Sequence, residues 1–276
     1  MRIREENLDS INKHRYDGIA YIKLKGNRPI FTKDDKDKLE RGESNFPDLD
    51  EFRHCGMAFA RISKNTLSSK SDKRPKMHCK PSGFPASKEE NTVNGKLIFQ
   101  RCHLIGFRLF KIRGDKDENA NLKKVFTGTR FMNNLMLYYE NKIYEYVHET
   151  EKTVLYRVTP YFENNNKLVY GVQMEAMFIN EMGNEDINLS FNVFVYNKQP
   201  YIEFNYRTGK GLSNKMCDME YYYAIDEKKK KFHIKGCASD PDFDNDESEG
   251  FSGFSVEIRN KLIQDGYHSC AICDPM

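Results

Sequence analysis

The sequence predicts an α+β fold, a central antiparallel sheet with helices on its faces. Three observations carry this. Residues 154–158, 168–178, 187–196 and 201–206 alternate like strands, and the turn clusters Asn164-Asn165-Asn166 and Asn197-Lys198-Gln199-Pro200 break them apart. Ahead of them, Ile143, Tyr146 and Val147 continue a helical face to about residue 149. Earlier still, the run Phe99-Gln100-Arg101-Cys102-His103-Leu104-Ile105-Gly106-Phe107 alternates like a strand around a single imidazole. No internal repeat is present.

Taken in order, residues 1–15 are charged and without clear periodicity, a leader that is either mobile or helical. Residues 16–30 read as a strand through Ile19, Tyr21 and Leu24 that turns at Gly26-Asn27-Arg28-Pro29. Thr32 is placed to cap a charged helix over 33–41, with Asp35 at the capping-box position. Residues 55–62 are apolar and small, as in a buried central strand. A Ser-rich loop follows, carrying Lys64, Lys70, Lys73, Arg74, Lys76 and Lys80 against the one acid Asp72; it is either a solvated loop or an edge that contacts phosphate. Residues 95–99 start a hairpin, and the polar loop 115–119 separates the strand of His103 from a helix.

With 276 residues, 38% hydrophobic and 13% aromatic, the chain can bury a core and form one main domain plus an appendage. The expected division is a leader 1–15, a domain 16–226 and a tail 227–276. A net charge of +3 and a pI near 8.3 suit a phosphate-binding protein but decide little. Seven cysteines exclude a complete disulfide framework within one chain. Cys55, Cys79, Cys102 and Cys217 are scattered, as buried or idle thiols are. No apolar run approaches the roughly 20 residues of a bilayer span. Met1-Arg2-Ile3-Arg4-Glu5-Glu6 lacks the apolar stretch of a signal peptide.

The chemistry concentrates in residues 99–141. The hairpin imidazole is followed by Thr127-Gly128-Thr129-Arg130-Phe131-Met132-Asn133-Asn134 and then Leu135-Met136-Leu137-Tyr138-Tyr139-Glu140-Asn141. Histidine on a hairpin with asparagine and glutamate on a helix suits metal-assisted phosphodiester cleavage. A side chain of reference pKa about 6.5 is a base at neutral pH, so His103 takes that role. Asn133 offers a neutral oxygen to Mg²⁺, a hard cation that keeps several waters. Glu140, seven residues on, shares its helix face. Arg101 and Arg130 are candidate phosphate clamps, because a guanidinium meets two oxygens at once. The bland readings are a satisfied strand histidine and a solvent-facing helix glutamate.

The segments "RCHLIGF", "FTGTRFMN" and "YYEN", followed by "YRVTPYFENNNKLVYGVQMEA" and "FNVFVYNKQPYIEFNYRTG", resemble the DNA/RNA non-specific endonuclease family, in its bacterial DNA-entry-nuclease branch. The resemblance runs in order from about residue 16 to 211. It implies a ββα-metal motif within the α+β fold, a Mg²⁺-dependent hydrolase acting on DNA and RNA, products with a 5′-phosphate and 3′-hydroxyl, and low sequence specificity. An inhibitor or immunity protein is a further partner it leaves room for. Family members are commonly exported or surface-tethered, so this chain has lost that segment, uses another route or stays inside. Four departures stand out. Gln100 occupies the place of Asp or Asn, and Cys102 replaces the glycine of the wider family, though cysteine is usual in this branch. Lys124 stands where a second asparagine is expected. The interval from Asn133 to Glu140 is one residue short, with Tyr138 in place of a proline. They leave open the choice between Asn133 and Asn134 and the duty of Glu140. A nucleic-acid-binding or toxin-like module that has lost activity is the rival reading.

Two other constellations are set aside. Cys102 and His103, adjacent on a strand, point to opposite faces and do not form a thiol–imidazole pair. The acidic stretch 240–246 lacks the glycine and glutamate of a calcium loop. In the tail, His233 with Cys237 and Cys270 with Cys273 make one imidazole and three thiolates, a tetrahedral zinc set. This resembles the small metal-binding tail of some nucleases of this branch and the zinc domain of the methyl-phosphotriester repair protein. Inert thiols or a Cys270–Cys273 disulfide are the alternatives, and His268 is a competing ligand. A helix is expected over 256–264.

Overall fold

A computed structural model describes residues 3, 5–13, 19–40, 44–69, 71–73, 78–111, 121–214, 223–234, 236–239 and 255–273. In chain order the elements are α1 (Glu5–Lys13), β1 (Tyr21–Lys23), α2 (Lys33–Glu40), β2 (Ala58–Ile62), β3 (Thr92–Val93), β4 (Lys96–Leu97), β5 (Phe99–His103), β6 (Val125–Thr129), α3 (Arg130–Thr150), β7 (Val154–Tyr161), β8 (Gly171–Phe178), β9 (Phe191–Tyr196), β10 (Ile202–Asn205), β11 (Lys210–Asn214), β12 (Tyr223–Asp226), β13 (Lys231–Ile234), α4 (Ser255–Gln264) and β14 (His268–Ser269). The fold is the expected α+β. Its central sheet has the order β1-β9-β8-β7-β2, with every neighbouring pair antiparallel.

Both faces of this sheet are covered, so β7, β8 and β9 are buried along nearly their whole length. Val154, Tyr156, Val158, Met174, Ala176 and Val193 face one cluster, which takes Leu135, Met136, Tyr139, Ile143 and Val147 from α3. These α3 residues recur at the three- and four-residue spacing of one helical stripe. The ring of Tyr139 lies 4.9 Å from that of Phe191 and Tyr146 lies 4.9 Å from Phe178. On the opposite face, Leu155 and Met177 meet Phe31, Met57 and Phe59. Ile11 of α1 packs with Phe194 and Tyr196 there. Residues 5–13 of the leader are thus helical and docked, because Ile11 is fully buried and its carbonyl accepts from the Tyr196 hydroxyl at 2.9 Å.

The capping box forms as read. The Thr32 amide donates to Asp35 Oδ2 at 2.9 Å and the Asp35 amide to Thr32 Oγ1 at 3.1 Å. One expectation is corrected: β2 is buried, yet it is an edge strand of the sheet, paired with β7 alone among the named strands. Its burial comes from both flanking layers rather than from a central position. The segment at 201–206 also leaves the main sheet, since β10 pairs with β11 as a separate ribbon.

The tail builds a small three-stranded sheet, β12-β13-β14, in which β13 and β14 are parallel. A division at 226/227 passes through the β12–β13 hairpin. Tyr223, Phe232, Leu262 and Cys270 join the same apolar cluster as α3 and the main sheet. Cys217, the acidic stretch 240–246 and several residues of the basic loop lie outside the described residues. Among the described residues, no helix is long and apolar enough to cross a membrane.

Candidate active site and a four-donor metal centre

The strand β5 pairs with β6 in the antiparallel register Phe99↔Thr129, Arg101↔Thr127, His103↔Val125. Chain direction reverses directly into α3, giving a hairpin that runs into a helix. Cys102 is fully buried while His103 is half-buried, as opposite strand faces require. The Cys102 sulfur fills the hairpin's inner side: a Cβ on Gly128 would stand 2.6 Å from it, so the pair of residues is matched in size. This cysteine packs, and the thiol-nucleophile reading has no support here.

Helix α3 begins at a well-made cap. Thr129 Oγ1 accepts the Met132 amide at 3.1 Å, and Gln199 Oε1 accepts the Phe131 amide at 3.1 Å. Asn197, fully buried, accepts the Thr129 amide at 2.8 Å on Oδ1 and donates from Nδ2 to the carbonyls of Thr127 and Val169. Sequence reading takes 197–200 as a turn only; the structure makes Asn197 and Gln199 the supports of hairpin and helix. Their burial between apolar neighbours is the signal, and it becomes visible only in three dimensions.

In the first turn, Asn133 Nδ2 donates to Gln100 Oε1 at 2.8 Å. This bond spends the amide nitrogen on the hairpin and leaves Oδ1 as the end suited to a hard cation. Gln100 keeps the oxygen acceptor that Asp or Asn would offer, on a longer arm. Asn134 turns elsewhere, donating from Nδ2 to Ser239 Oγ at 3.0 Å. Arg101 Nε donates to the Cys79 carbonyl at 2.6 Å, and its guanidinium carbon lies 4.2 Å from the centre of the Phe84 ring. Arg130 Nη1 donates to the Ala271 carbonyl at 3.0 Å, toward the tail. Glu140 is 8% exposed, and its Oε1 accepts the Gly106 amide at 2.7 Å and the Tyr156 hydroxyl at 3.4 Å. Burial, then the Glu140 charge, push the Tyr156 phenol well above its ordinary value. Glu140 therefore braces the loop that leaves His103, and a Cβ on Gly106 would lie 2.3 Å from Glu140 Oε2.

Beside the hairpin lies a cleft of about 330 Å³, lined by Arg53, Lys80, Phe84, Lys167 and Lys210 among others. Its wall is tied to β6, because Thr127 Oγ1 donates to the Ser82 carbonyl at 2.8 Å.

The second centre is in the tail. Parallel pairing of Phe232 with Ser269 sets His233 beside Cys270, and the Cys270 amide donates to the Phe232 carbonyl at 3.0 Å. Gly236, at φ 85°, adopts the left-handed turn that brings Cys237 back to the same place. The ligand atoms of His233, Cys237, Cys270 and Cys273 all lie within 4.8 Å of one another, and all four residues are buried. The three cysteines are free thiols, and His233 Nδ1 is buried with no hydrogen-bond partner. Hydrogen bonds from Cys237 and Cys273 hold the Cys270 thiol far below its ordinary value. The contact with Cys270 pushes Cys237 up to about 12, and burial pushes Cys273 up. A crowd of three thiols and an orphaned imidazole nitrogen is a donor set that fits zinc. His268 is exposed on β14 and stands outside this cluster.

A family model described as DNA/RNA non-specific endonuclease matches residues 37–180, just over half of the chain. The chain belongs to this family, and it is a hydrolase of the nuclease class. Among solved structures, it is similar to NucA from Streptococcus agalactiae with no metal bound, at 20% identity and TM-score 0.56, covering 76% of this chain and 97% of NucA. The magnesium-bound form of NucA matches at 19% identity and TM-score 0.57 with the same coverage. The Sda1 nuclease with bound zinc ion matches at 18% identity and TM-score 0.52, covering 74% of this chain and 99% of Sda1. At these identities the likeness is one of fold.

Proposed function

We propose that this nuclease hydrolyses phosphodiester bonds of both DNA and RNA with Mg²⁺, using His103 as general base and Asn133 as the metal ligand. The observation that carries the reading is the Asn133–Gln100 bond, which holds the amide of the helix against the strand of His103 with its oxygen available. His103 takes a proton from water, the water oxygen bonds to phosphorus, and the bond to the 3′-oxygen breaks; that oxygen takes a proton from solvent, leaving a 5′-phosphate and a 3′-hydroxyl. No step uses a 2′-hydroxyl, so DNA and RNA are equivalent at the reacting centre. The cation, when bound, stabilises the negative charge on the phosphoryl oxygens. Arg101, stacked on Phe84, and the basic cleft hold backbone phosphates, which gives affinity with little base selectivity. That magnesium is recorded on a fold neighbour supports the choice of cation.

The test is degradation of supercoiled plasmid with Mg²⁺, with EDTA and with His103→Ala. The substitution is expected to lower the rate by about 10²-fold or more. A wild-type chain that binds the plasmid yet leaves it intact from neutral to alkaline pH refutes the enzyme reading in favour of a binding module.

In the same proposal, His233, Cys237, Cys270 and Cys273 hold a structural zinc distinct from the catalytic cation. The orphaned buried imidazole and the three converging thiols support it. Metal analysis after purification under reducing, chelator-free conditions is expected to find one zinc per chain, lost in Cys270→Ser/Cys273→Ser. Wild-type protein without zinc sinks this assignment.

A further inference from the structure

The four-donor centre and the turn that presents Asn133 share hydrogen bonds. Ala271 and Ile272 are the two residues between Cys270 and Cys273. The first accepts from Arg130 Nη1 at 3.0 Å and the second from Gln199 Nε2 at 3.1 Å. Gln199 is the residue whose Oε1 accepts the Phe131 amide at the start of α3. On the other ligand pair, Ser239, two residues past Cys237, accepts from Asn134 at 3.0 Å. Thus Arg130, Phe131 and Asn134, which surround Asn133 in the first turn, are held directly or through Gln199 by loops that carry zinc ligands.

We infer that zinc in the tail fastens the first turn of α3, so that occupancy of one metal centre sets the affinity of the other. This rests on the zinc and nuclease readings proposed above. The physical reason is local. First-turn amides have no partners within their own helix and fray at low cost unless something outside holds them. The loops 237–239 and 270–273 are short and reach the main core chiefly through Cys237, Cys270 and Cys273, the proposed ligands themselves, so the metal helps to define their shape. Without it, the Ala271 and Ile272 carbonyls and the Ser239 hydroxyl lose fixed positions, and the turn loses its outer brace. Asn133 keeps its bond to Gln100 but sits on a looser backbone. Arg130 is in this account a positioning residue and not a phosphate clamp.

The experiment compares the zinc-loaded full chain with the same protein stripped by a zinc-selective chelator, followed by amide hydrogen exchange and by calorimetric titration with Mg²⁺. Stripping is expected to speed exchange at the amides of residues 131–134 and to weaken Mg²⁺ binding about tenfold, the scale on which outer-shell supports act. Exchange in β7, β8 and β9 is expected to stay unchanged. Because stripping can unfold more than the tail, Arg130→Leu with Ser239→Ala is examined beside it with zinc retained. It is expected to loosen the same amides and weaken Mg²⁺ binding, with KM for plasmid held. Unchanged exchange and Mg²⁺ affinity in this variant overturn the inference, as does a raised KM with Mg²⁺ affinity intact, which marks Arg130 as a phosphate contact. A chain that carries no zinc overturns it together with the zinc assignment. A chain that binds zinc and Mg²⁺ but cleaves nothing refutes the nuclease reading, and exchange and titration still decide the coupling.

Discussion

Replacing Glu140 separates two roles that a helix glutamate near a catalytic hairpin can play. In the structure Oε1 accepts the Gly106 amide at 2.7 Å in a site only 8% exposed, three residues beyond His103. A hydrogen bond to a charged acceptor contributes about 1.5–3 kcal/mol, and leaving the part-buried Gly106 amide without this partner removes up to that much. Truncation to alanine also leaves a hole, so Glu140→Ala is expected to lose about 3 kcal/mol or more of stability by urea denaturation. Its kcat should fall at least about tenfold, through displacement of the loop that follows His103. Glu140→Gln keeps a carbonyl oxygen in the same place and is expected to retain most of both. If the glutamine variant is as stable as wild type yet as slow as the alanine variant, the charge itself acts on the cation, and the bracing role is wrong.

Arg157, 3% exposed, binds Glu175 Oε2 through Nε at 2.9 Å and Asp35 Oδ2 through Nη1 at 3.2 Å. Arg157→Met strands the buried Glu175 carboxylate and should cost about 3–5 kcal/mol in chemical denaturation, partly restored by adding Glu175→Leu. Burial alone raises the Asp35 carboxyl, but the Thr32 amide and hydroxyl, then Arg157, hold it below its ordinary value. A depressed folded-state pKa contributes stability that is present above the unfolded value of 3.8 and is lost as pH falls through the folded value; Asp35→Asn should flatten this acid-side loss in melting curves. Gln100→Leu removes the acceptor for Asn133 Nδ2 and is expected to weaken Mg²⁺ binding by about tenfold in titration, with the melting temperature nearly unchanged. Lys167→Ala and Lys210→Ala, in the basic cleft, should each reduce the salt slope of plasmid binding by about one.

Much of the framework of the candidate site was legible because its parts are local. The hairpin, the helix start and the spacing of His103, Asn133 and Glu140 all fall within about forty residues, and the capping box at Thr32 and Asp35 is a four-residue pattern. The tail's donor set was also readable, since two thiols at two-residue spacing announce themselves. The contacts of Arg130 and Glu140 were not readable, because each runs to a backbone group: the carbonyl of Ala271, 141 residues away, and the amide of Gly106. A backbone carbonyl or amide leaves no trace in residue identity. Asn197 and Gln199 look like turn residues for the same reason. The edge position of β2 was missed because a strand covered by layers on both faces reads as central whether or not it has two neighbours.

The separations in sequence across the start of α3 bear on the order in which the molecule is assembled. The bond from Phe131 to Gln199 spans 68 residues, that from Asn134 to Ser239 spans 105, and that from Arg130 to Ala271 spans 141. Contacts that close such long loops form late, after local helices and hairpins exist. As the chain leaves the ribosome, His103 and Asn133 emerge well before the residues that steady the first turn of α3. Partly synthesised chains would then hold the candidate site residues without the geometry that joins them, and the site would be complete only after the rest of the fold is in place.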